Sequence, residues 1–156
     1  MLLNNALELN LPDGFLEMSR EETAGFLITD RGEGIALKDK ERHLIVTAGW
    51  KKIGGFSGMI LNQNDLRKKM ERDIRNSLAK LNYKEAGPSD RQVGGLTAEG
   101  FQYQYTAVDG TEMTGESYVL KKDYTLYYFH LYSRRELASE NSGLFKTVLM
   151  NAHWVD

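Results

Sequence analysis

The stretch YTLYYFHLYS, Tyr124 to Ser133, decides the fold because apolar side chains occupy both faces of the strand that it predicts. Its alternate positions form two sets, which are Tyr124, Leu126, Tyr128, His130 and Tyr132, and Thr125, Tyr127, Phe129, Leu131 and Ser133. A strand that faces water on one side alternates apolar and polar residues, whereas a strand buried on both faces does not. We therefore predict a central strand in a sheet that helices cover on both sides.

Two strands are predicted directly before this one. Phe101–Thr106 alternates strictly between aromatic and polar residues, and Asp109-Gly110 is a strong signal for a hairpin turn. The run Glu112–Lys121 then pairs back, and a second tight turn at Lys122-Asp123 leads into the quoted stretch. The sequence therefore predicts a three-stranded antiparallel meander, preceded by a loop at Ala86–Asp90.

A long amphipathic helix is predicted from about Asp65 to Leu81, with Asn62 or Asn64 as its N-cap. Its apolar stripe consists of Leu66, Met70, Ile74, Leu78 and Leu81. A stripe of this width is typical of a helix that packs on a core. The helix lies in the middle of the chain, so it can cover one face of the sheet.

Shorter elements complete the pattern. Ile35–Lys38 and His43–Trp50 predict two strands joined by an exposed, charged loop. Ser133 and Glu136 have capping-box spacing, and we expect the last helix to start around Asn141. The whole chain, residues 1–156, is predicted to be a single α+β domain. Its architecture is an α/β/α sandwich, a mostly antiparallel β-sheet flanked by helices on both faces.

Composition limits the possible functions. The chain has no cysteine, which excludes disulfides, thiolate zinc sites and cysteine nucleophiles. The formal net charge of −2 predicts no general attraction to nucleic acid or to anionic membranes. The apolar runs are too short for a transmembrane helix, so we expect no membrane insertion.

Linear motifs for catalysis or metal binding are weak. The run GGFSGM, Gly54–Met59, resembles the nucleophile elbow G-x-S-x-G, but Met59 stands where the last glycine belongs. A flexible connection is therefore the better interpretation. The three histidines, His43, His130 and His153, lack metal-ligand spacing, and we expect no metal and no cofactor. We interpret His130 as a packed core histidine, with an acid–base or pH-responsive role as the alternative.

The tyrosines of the meander are the first candidate binding site. Tyrosine suits half-buried positions in cores and in interfaces alike. Cross-strand packing under a helix explains them, and an open face would instead make them an aromatic groove for a peptide or an amphipathic ligand. The candidate residues are Tyr103, Tyr105, Tyr124, Tyr128, His130 and Tyr132.

The long helix carries the second candidate. Lys68, Arg72 and Arg75 lie opposite its apolar stripe. A solvated helix face accounts for them, and the functional alternative is a basic docking strip for an acidic protein partner. Nucleic acid is a poorer partner, because no exposed aromatic residues interleave with the cations.

The order of these signals resembles the Mog1/PsbP-like superfamily. The resemblance rests on LELNLPDGF at the start of the chain and on NDLRKKM, which opens the long helix after a strand hairpin. It continues with GGLTAEGFQYQY and with the final pattern LFKTVLMNAHWV. The superfamily includes a nuclear transport factor, a photosystem II subunit, DcrB-type bacterial proteins and chaperones of type VI secretion effectors. It implies the α/β/α sandwich and a binding or adaptor role without a shared active site, so no functional residue is carried over.

We therefore expect a small, soluble, non-enzymatic binding or adaptor protein, of chaperone-like type, that recognises a protein or peptide partner. Two alternatives remain open: a small-molecule or lipid carrier with a pocket between sheet and helix, and an enzyme without a linear motif. The start of the sequence has no signal-peptide pattern, so we expect a cytoplasmic protein, or an extracytoplasmic one if a signal peptide has been removed. A monomer or weak homodimer is expected.

Overall fold

The computed structural model describes residues 1–23 and 32–155, apart from the side chains of Thr23, Phe56 and Ser57. The strands of this described part are β1 (Leu2–Leu3), β2 (Leu7–Glu8), β3 (Leu16–Glu17), β4 (Glu33–Asp39), β5 (Leu44–Lys52), β6 (Lys84–Val93), β7 (Leu96–Thr106), β8 (Glu112–Lys122), β9 (Thr125–Arg134) and β10 (His153–Trp154). Its helices are α1 (Arg20–Thr23), α2 (Gly55–Ile60), α3 (Gln63–Ser77) and α4 (Ala138–Met150), the last preceded by a 3-10 turn at Arg135–Leu137.

The quoted stretch forms the centre of the main sheet. Among the described residues this sheet has seven strands, in the order β3-β4-β5-β9-β8-β7-β6, and neighbouring strands are antiparallel. Strand β9 therefore has three strands on either side, as its two apolar faces predicted. The small sheet β1-β2-β10 joins the two ends of the chain.

Helices α3 and α4 cover opposite faces of the main sheet. On one face, a buried cluster shared by β9 and α4 includes Tyr127, Phe129, Leu131, Phe145, Val148 and Leu149. On the other face, the cluster beneath α3 includes Met70, Ile74, Phe101, Tyr103 and Tyr132. The predicted α+β sandwich with helices on both faces is thus confirmed, and alternate residues of β9 enter different clusters.

The predicted loop at Ala86–Asp90 is wrong, because these residues lie inside β6. This strand forms one edge of the sheet and carries a register shift between Glu85 and Gly87, where Gly87 has a φ of 134°. An edge strand tolerates proline such as Pro88 because its outer N–H groups need no partner strand. The meander therefore has four consecutive strands and not three.

Both long helices differ from the predicted limits. Helix α3 starts with the expected Asn62 cap, whose side chain accepts from the N–H of Asn64 at 2.8 Å, but it ends at Ser77. The prediction of a capping box at Ser133 and Glu136 is also wrong. Ser133 is a buried residue of β9, and its hydroxyl accepts from the Asn141 amide at 2.8 Å. Helix α4 starts at Ala138, and Asn141 lies within its second turn.

Two tight turns are formed by other residues than the sequence predicted. The central residues of the β8–β9 turn are Asp123 and Tyr124, with φ values of 49° and 59°, so Tyr124 belongs to the turn and not to β9. Asp39 does not lie in an exposed loop, because it is buried at the end of β4. Its carboxylate accepts the N–H groups of Glu41 and Arg42, each at 3.1 Å, and so closes the β4–β5 turn.

Candidate functional site

Most of the predicted aromatic site lies in the interior. Tyr103, Tyr105 and Tyr132 are buried between the sheet and α3, where burial raises the pKa of Tyr105 to about 12. Tyr128 is partly buried against the same cluster. Tyr124 differs from the others, with 53% of its surface exposed. In this fold, therefore, only Tyr124 and part of Tyr128 among these tyrosines are accessible from outside. The other three tyrosines do not form an open aromatic groove.

His130 is 1% exposed and lies beneath α3. Its Nδ1 is 2.7 Å from the Ser117 hydroxyl, its ring stacks on Tyr132, and its Nε2 has no hydrogen-bond partner among the described residues. Burial lowers the pKa of His130 to about 4, because the charged imidazolium is poorly solvated there. The neutral ring is thus a packed side chain that substrate cannot reach.

Three cations of α3 that the sequence singled out are exposed. Lys68, Arg72 and Arg75 have no ion pair with any residue in the described ranges. The helix forms its i,i+4 ion pairs elsewhere, Arg67 with Glu71 at 2.7 Å and Lys69 with Asp73 at 2.8 Å. The structure therefore leaves these three cations available to an acidic partner.

An apolar surface patch lies at the end of the sheet formed by the β8–β9 turn. Met59 and Ile60 of α2 are 77% and 65% exposed, and the residue before them, Gly58, packs against the ring of Tyr124, which is 53% exposed in the turn. We call Met59, Ile60 and Tyr124 the hairpin-tip patch. Large apolar side chains gathered on a surface are typical of interaction sites, whereas single ones are common on any protein.

Specific contacts hold this patch in place. A side chain at Gly58 would collide with the Tyr124 ring, so the absence of a Cβ lets α2 approach the turn. The Lys121 ammonium donates to the carbonyl groups of Gly58 and Leu61, the latter at 2.9 Å. The Ile53 N–H donates to the Tyr124 carbonyl at 2.8 Å. These contacts fix α2 on the hairpin while Met59 and Ile60 remain exposed.

Lysines lie at the strand ends next to the hairpin-tip patch. Lys52 is exposed and lies opposite Thr125, the residue after Tyr124, with Lys51 beside it. Lys122 pairs with the exposed Asp123 at 2.6 Å and also lies over the Trp154 ring. Lys51 and Lys52 thus place positive charge at this end of the sheet, whereas the whole protein carries a formal charge of −2.

A buried polar cluster fastens the edge strand to α4. Glu116 accepts hydrogen bonds from Arg91 of β6 at 2.9 Å and from the Tyr118 hydroxyl at 2.7 Å. The same Arg91 group donates to Ser142 of α4 at 2.8 Å, and the Tyr118 hydroxyl meets Ser89 at 2.9 Å. The charged pair is shielded from water and ties three elements together, so we assign the cluster to the fold, although the buried Arg91 Nε has no partner among the described residues.

Sequence reasoning missed the hairpin-tip patch. The signal available was Met59-Ile60, two large apolar residues at the end of the glycine-rich run and outside any predicted core stripe. The glycine-rich connection is in fact helix α2, although the Ser57 side chain lies outside the described residues. In the described ranges no group of three His, Asp or Glu side chains could hold a metal ion, and no helix is long and apolar enough to cross a membrane.

Comparison with known proteins gives the fold. No family model and no curated protein matches the chain. Among solved structures, cyanobacterial PsbP (CyanoP) from Synechocystis sp. PCC 6803 aligns over 96% of this chain and 93% of its own, with a TM-score of 0.63 and 12% identity. LpqN, involved in cell envelope biogenesis of Mycobacterium tuberculosis, aligns over 96% and 83%, with a TM-score of 0.57 and 14% identity.

A mutant of the protein Mog1 aligns over 99% of this chain and 94% of its own, with a TM-score of 0.58 and 10% identity. The chain therefore has the Mog1/PsbP-like fold, as its sequence landmarks indicated. Identities this low describe the fold and carry no function.

Proposed function

We propose that this protein is a small, non-enzymatic binding or adaptor protein, of chaperone-like type, that recognises a protein or peptide partner through the hairpin-tip patch. The observation that carries the proposal is the exposure of Met59, Ile60 and Tyr124 at the place where α2 is fixed on the β8–β9 turn. Removing such side chains from water supplies much of the free energy of protein association. The inaccessibility of His130 supports the absence of acid–base catalysis.

The α3 cations support an acidic partner. Lys68, Arg72 and Arg75 form an unpaired basic row, and Lys51 and Lys52 border the hairpin-tip patch. Complementary charges speed association and exclude partners of like charge. The partner surface that fits best is apolar at its centre and acidic at its margin.

Affinity capture with variant proteins tests this proposal. Tagged wild-type protein would be compared with Met59→Glu/Ile60→Glu and with Lys68→Glu/Arg72→Glu/Arg75→Glu, and the captured proteins quantified by mass spectrometry. We expect at least one captured protein to be recovered with Met59→Glu/Ile60→Glu, the patch variant, at roughly one tenth of the wild-type amount or less. The reason is that charge replaces a central apolar contact. Val108→Glu is the matched control, since Val108 is 93% exposed at the opposite end of the sheet.

Equal recovery of every captured protein by the wild type, both variants and the control would reject the proposed surface. Loss with the α3 variant and not with the patch variant would transfer the site to the helix. The monomer or weak homodimer expected from the sequence is measured in the same preparations by light scattering. The cytoplasmic location that we also propose is tested by cell fractionation.

A further inference from the structure

A second surface feature lies at the other end of the main sheet, between the β4–β5 and β7–β8 turns. It is an open cleft of about 490 Å³, within the range of small-molecule sites. The cleft lies on the α3 face, at the part of the sheet beyond the two strands, β7 and β8, against which α3 packs. We call it the sheet-end cleft.

Strand register determines what lines the cleft. Lys38 of β4 is opposite Ile45 of β5, which is opposite Tyr132 of β9, so these side chains form one row across the sheet. In the next row outward, Met113 of β8 is opposite Arg134 of β9. Directly paired residues point to the same face, so apolar and cationic side chains meet on one surface.

The floor of the cleft is apolar. Ile45, Met113 and Tyr132 belong to the cluster beneath α3, and Ala107 closes the side at the β7–β8 turn. Ile45 and Met113 are only partly buried, so part of their surface remains available to a ligand. A floor of this kind binds hydrocarbon by removing it from water.

The rim of the cleft is basic on the side of the β4–β5 turn, where Lys38, Lys40, His43 and Arg134 lie. Lys40 is exposed and has no ion pair with any residue of the described ranges, and Arg134 is only loosely paired with Glu136, at 3.7 Å.

Two carboxylates also line the cleft, and both are engaged by neighbouring groups. Asp39 is held by Arg42, and Asp109 accepts the N–H of Thr111 at 3.0 Å. Asp109 stays exposed near Arg134, and Lys38 is paired with Glu22 at 2.8 Å, so Lys40 is the rim cation that has no carboxylate partner among the described residues.

We propose that the sheet-end cleft binds a small amphipathic anion, a molecule with an apolar body and a carboxylate head. The apolar body lies on Ile45, Met113 and Tyr132, and the carboxylate lies between Lys40 and Arg134. This site is separate from the hairpin-tip patch, because the two lie at opposite ends of β9. The inference is independent of the proposed partner.

Titration of isotope-labelled protein with decanoate, followed by NMR, tests the site. We expect saturable shift changes at Ile45, Met113 and Tyr132, below the concentration at which decanoate forms micelles. Decyltrimethylammonium has the same chain with the opposite charge, and we expect it to bind roughly tenfold more weakly or not at all. Lys40→Glu/Arg134→Glu should weaken decanoate binding to a similar extent.

The matched control is Lys68→Glu/Arg72→Glu, which makes the same change in net charge on α3 and should leave decanoate affinity unchanged. The proposal is overturned if decanoate leaves the cleft residues unshifted, or if both amphiphiles bind equally. It is also overturned if both double variants weaken binding alike, since that reports net charge and not a site. Shifts in the cleft caused by an acidic, apolar peptide and not by decanoate would reassign the cleft to a protein segment.

Discussion

At the scale of the residue, burial determines the protonation state of His130. The histidine belongs to the stretch that determines the fold, and its place on the α3 face removes it from solvent. Its Nδ1 meets the Ser117 hydroxyl, and the described residues give its Nε2 no partner. A charged ring there would lose its hydration without gaining a counter-ion, so the neutral form is favoured.

We predict that His130 makes the protein sensitive to acid. Its pKa is about 4 in the folded state, against an ordinary value near 6.5 when unfolded, so the unfolded chain takes up the proton first. The contribution to stability is complete above about pH 6.5 and is lost as the pH falls towards 4, on the order of 3 kcal/mol. Urea unfolding of wild type and His130→Gln across this range measures the effect.

The difference in unfolding free energy between the two proteins should shrink below pH 6.5. Carboxylates titrate in both proteins, so their effect cancels in the comparison. A difference that stays constant from pH 7 to pH 4 would show that His130 is not held neutral.

At the scale of the element, the sequence predicts β9 and α3 well because burial on both faces of a strand and on one side of a helix leaves a periodic pattern. It fails at β6 because an exposed edge strand has no such pattern, and Gly87-Pro88 imitates a loop. It misplaces the start of α4 because Ser133 and Glu136 have the spacing of a capping box. The Ser133 hydroxyl instead accepts a hydrogen bond from the Asn141 side chain. Contacts between distant residues of this kind are invisible to local rules.

The candidate site was less predictable than the fold. The exposure of Lys68 follows from helix periodicity, whereas the burial of Tyr103 depends on which face α3 covers. The exposure of Met59 depends on how α2 docks on a distant turn through Gly58 and Tyr124. Local sequence patterns do not contain that information.

Two glycines in regular elements should respond to the same substitution in opposite directions. In β7, a Cβ at Gly100 would collide with the Ser117 carbonyl oxygen of the neighbouring strand. We expect Gly100→Ala to destabilise the protein by about 1–3 kcal/mol or more. Gly143 in α4 has open space around it, and Gly143→Ala should stabilise by roughly 0.5–1 kcal/mol. Thermal unfolding of the pair distinguishes them, and equal shifts would contradict the packing described for β7 and β8.

At the scale of the whole molecule, the two proposed surfaces lie at opposite ends of β9. The hairpin-tip patch is apolar with lysines around it, and the sheet-end cleft is an apolar floor with a basic rim. The sheet between them is covered by α3 on one face and α4 on the other. Both proposed surfaces therefore lie beyond the part of the sheet that the two helices cover.

Photo-crosslinking in the cells that make the protein tests the central claim most directly. Benzoylphenylalanine would replace Met59 in one protein and Val108 in another, since both positions are highly exposed apolar sites. We predict a discrete crosslinked adduct from position 59, lost when Ile60→Glu is added, and none from position 108. No adduct at position 59, or the same adduct from both positions, would contradict recognition through the hairpin-tip patch.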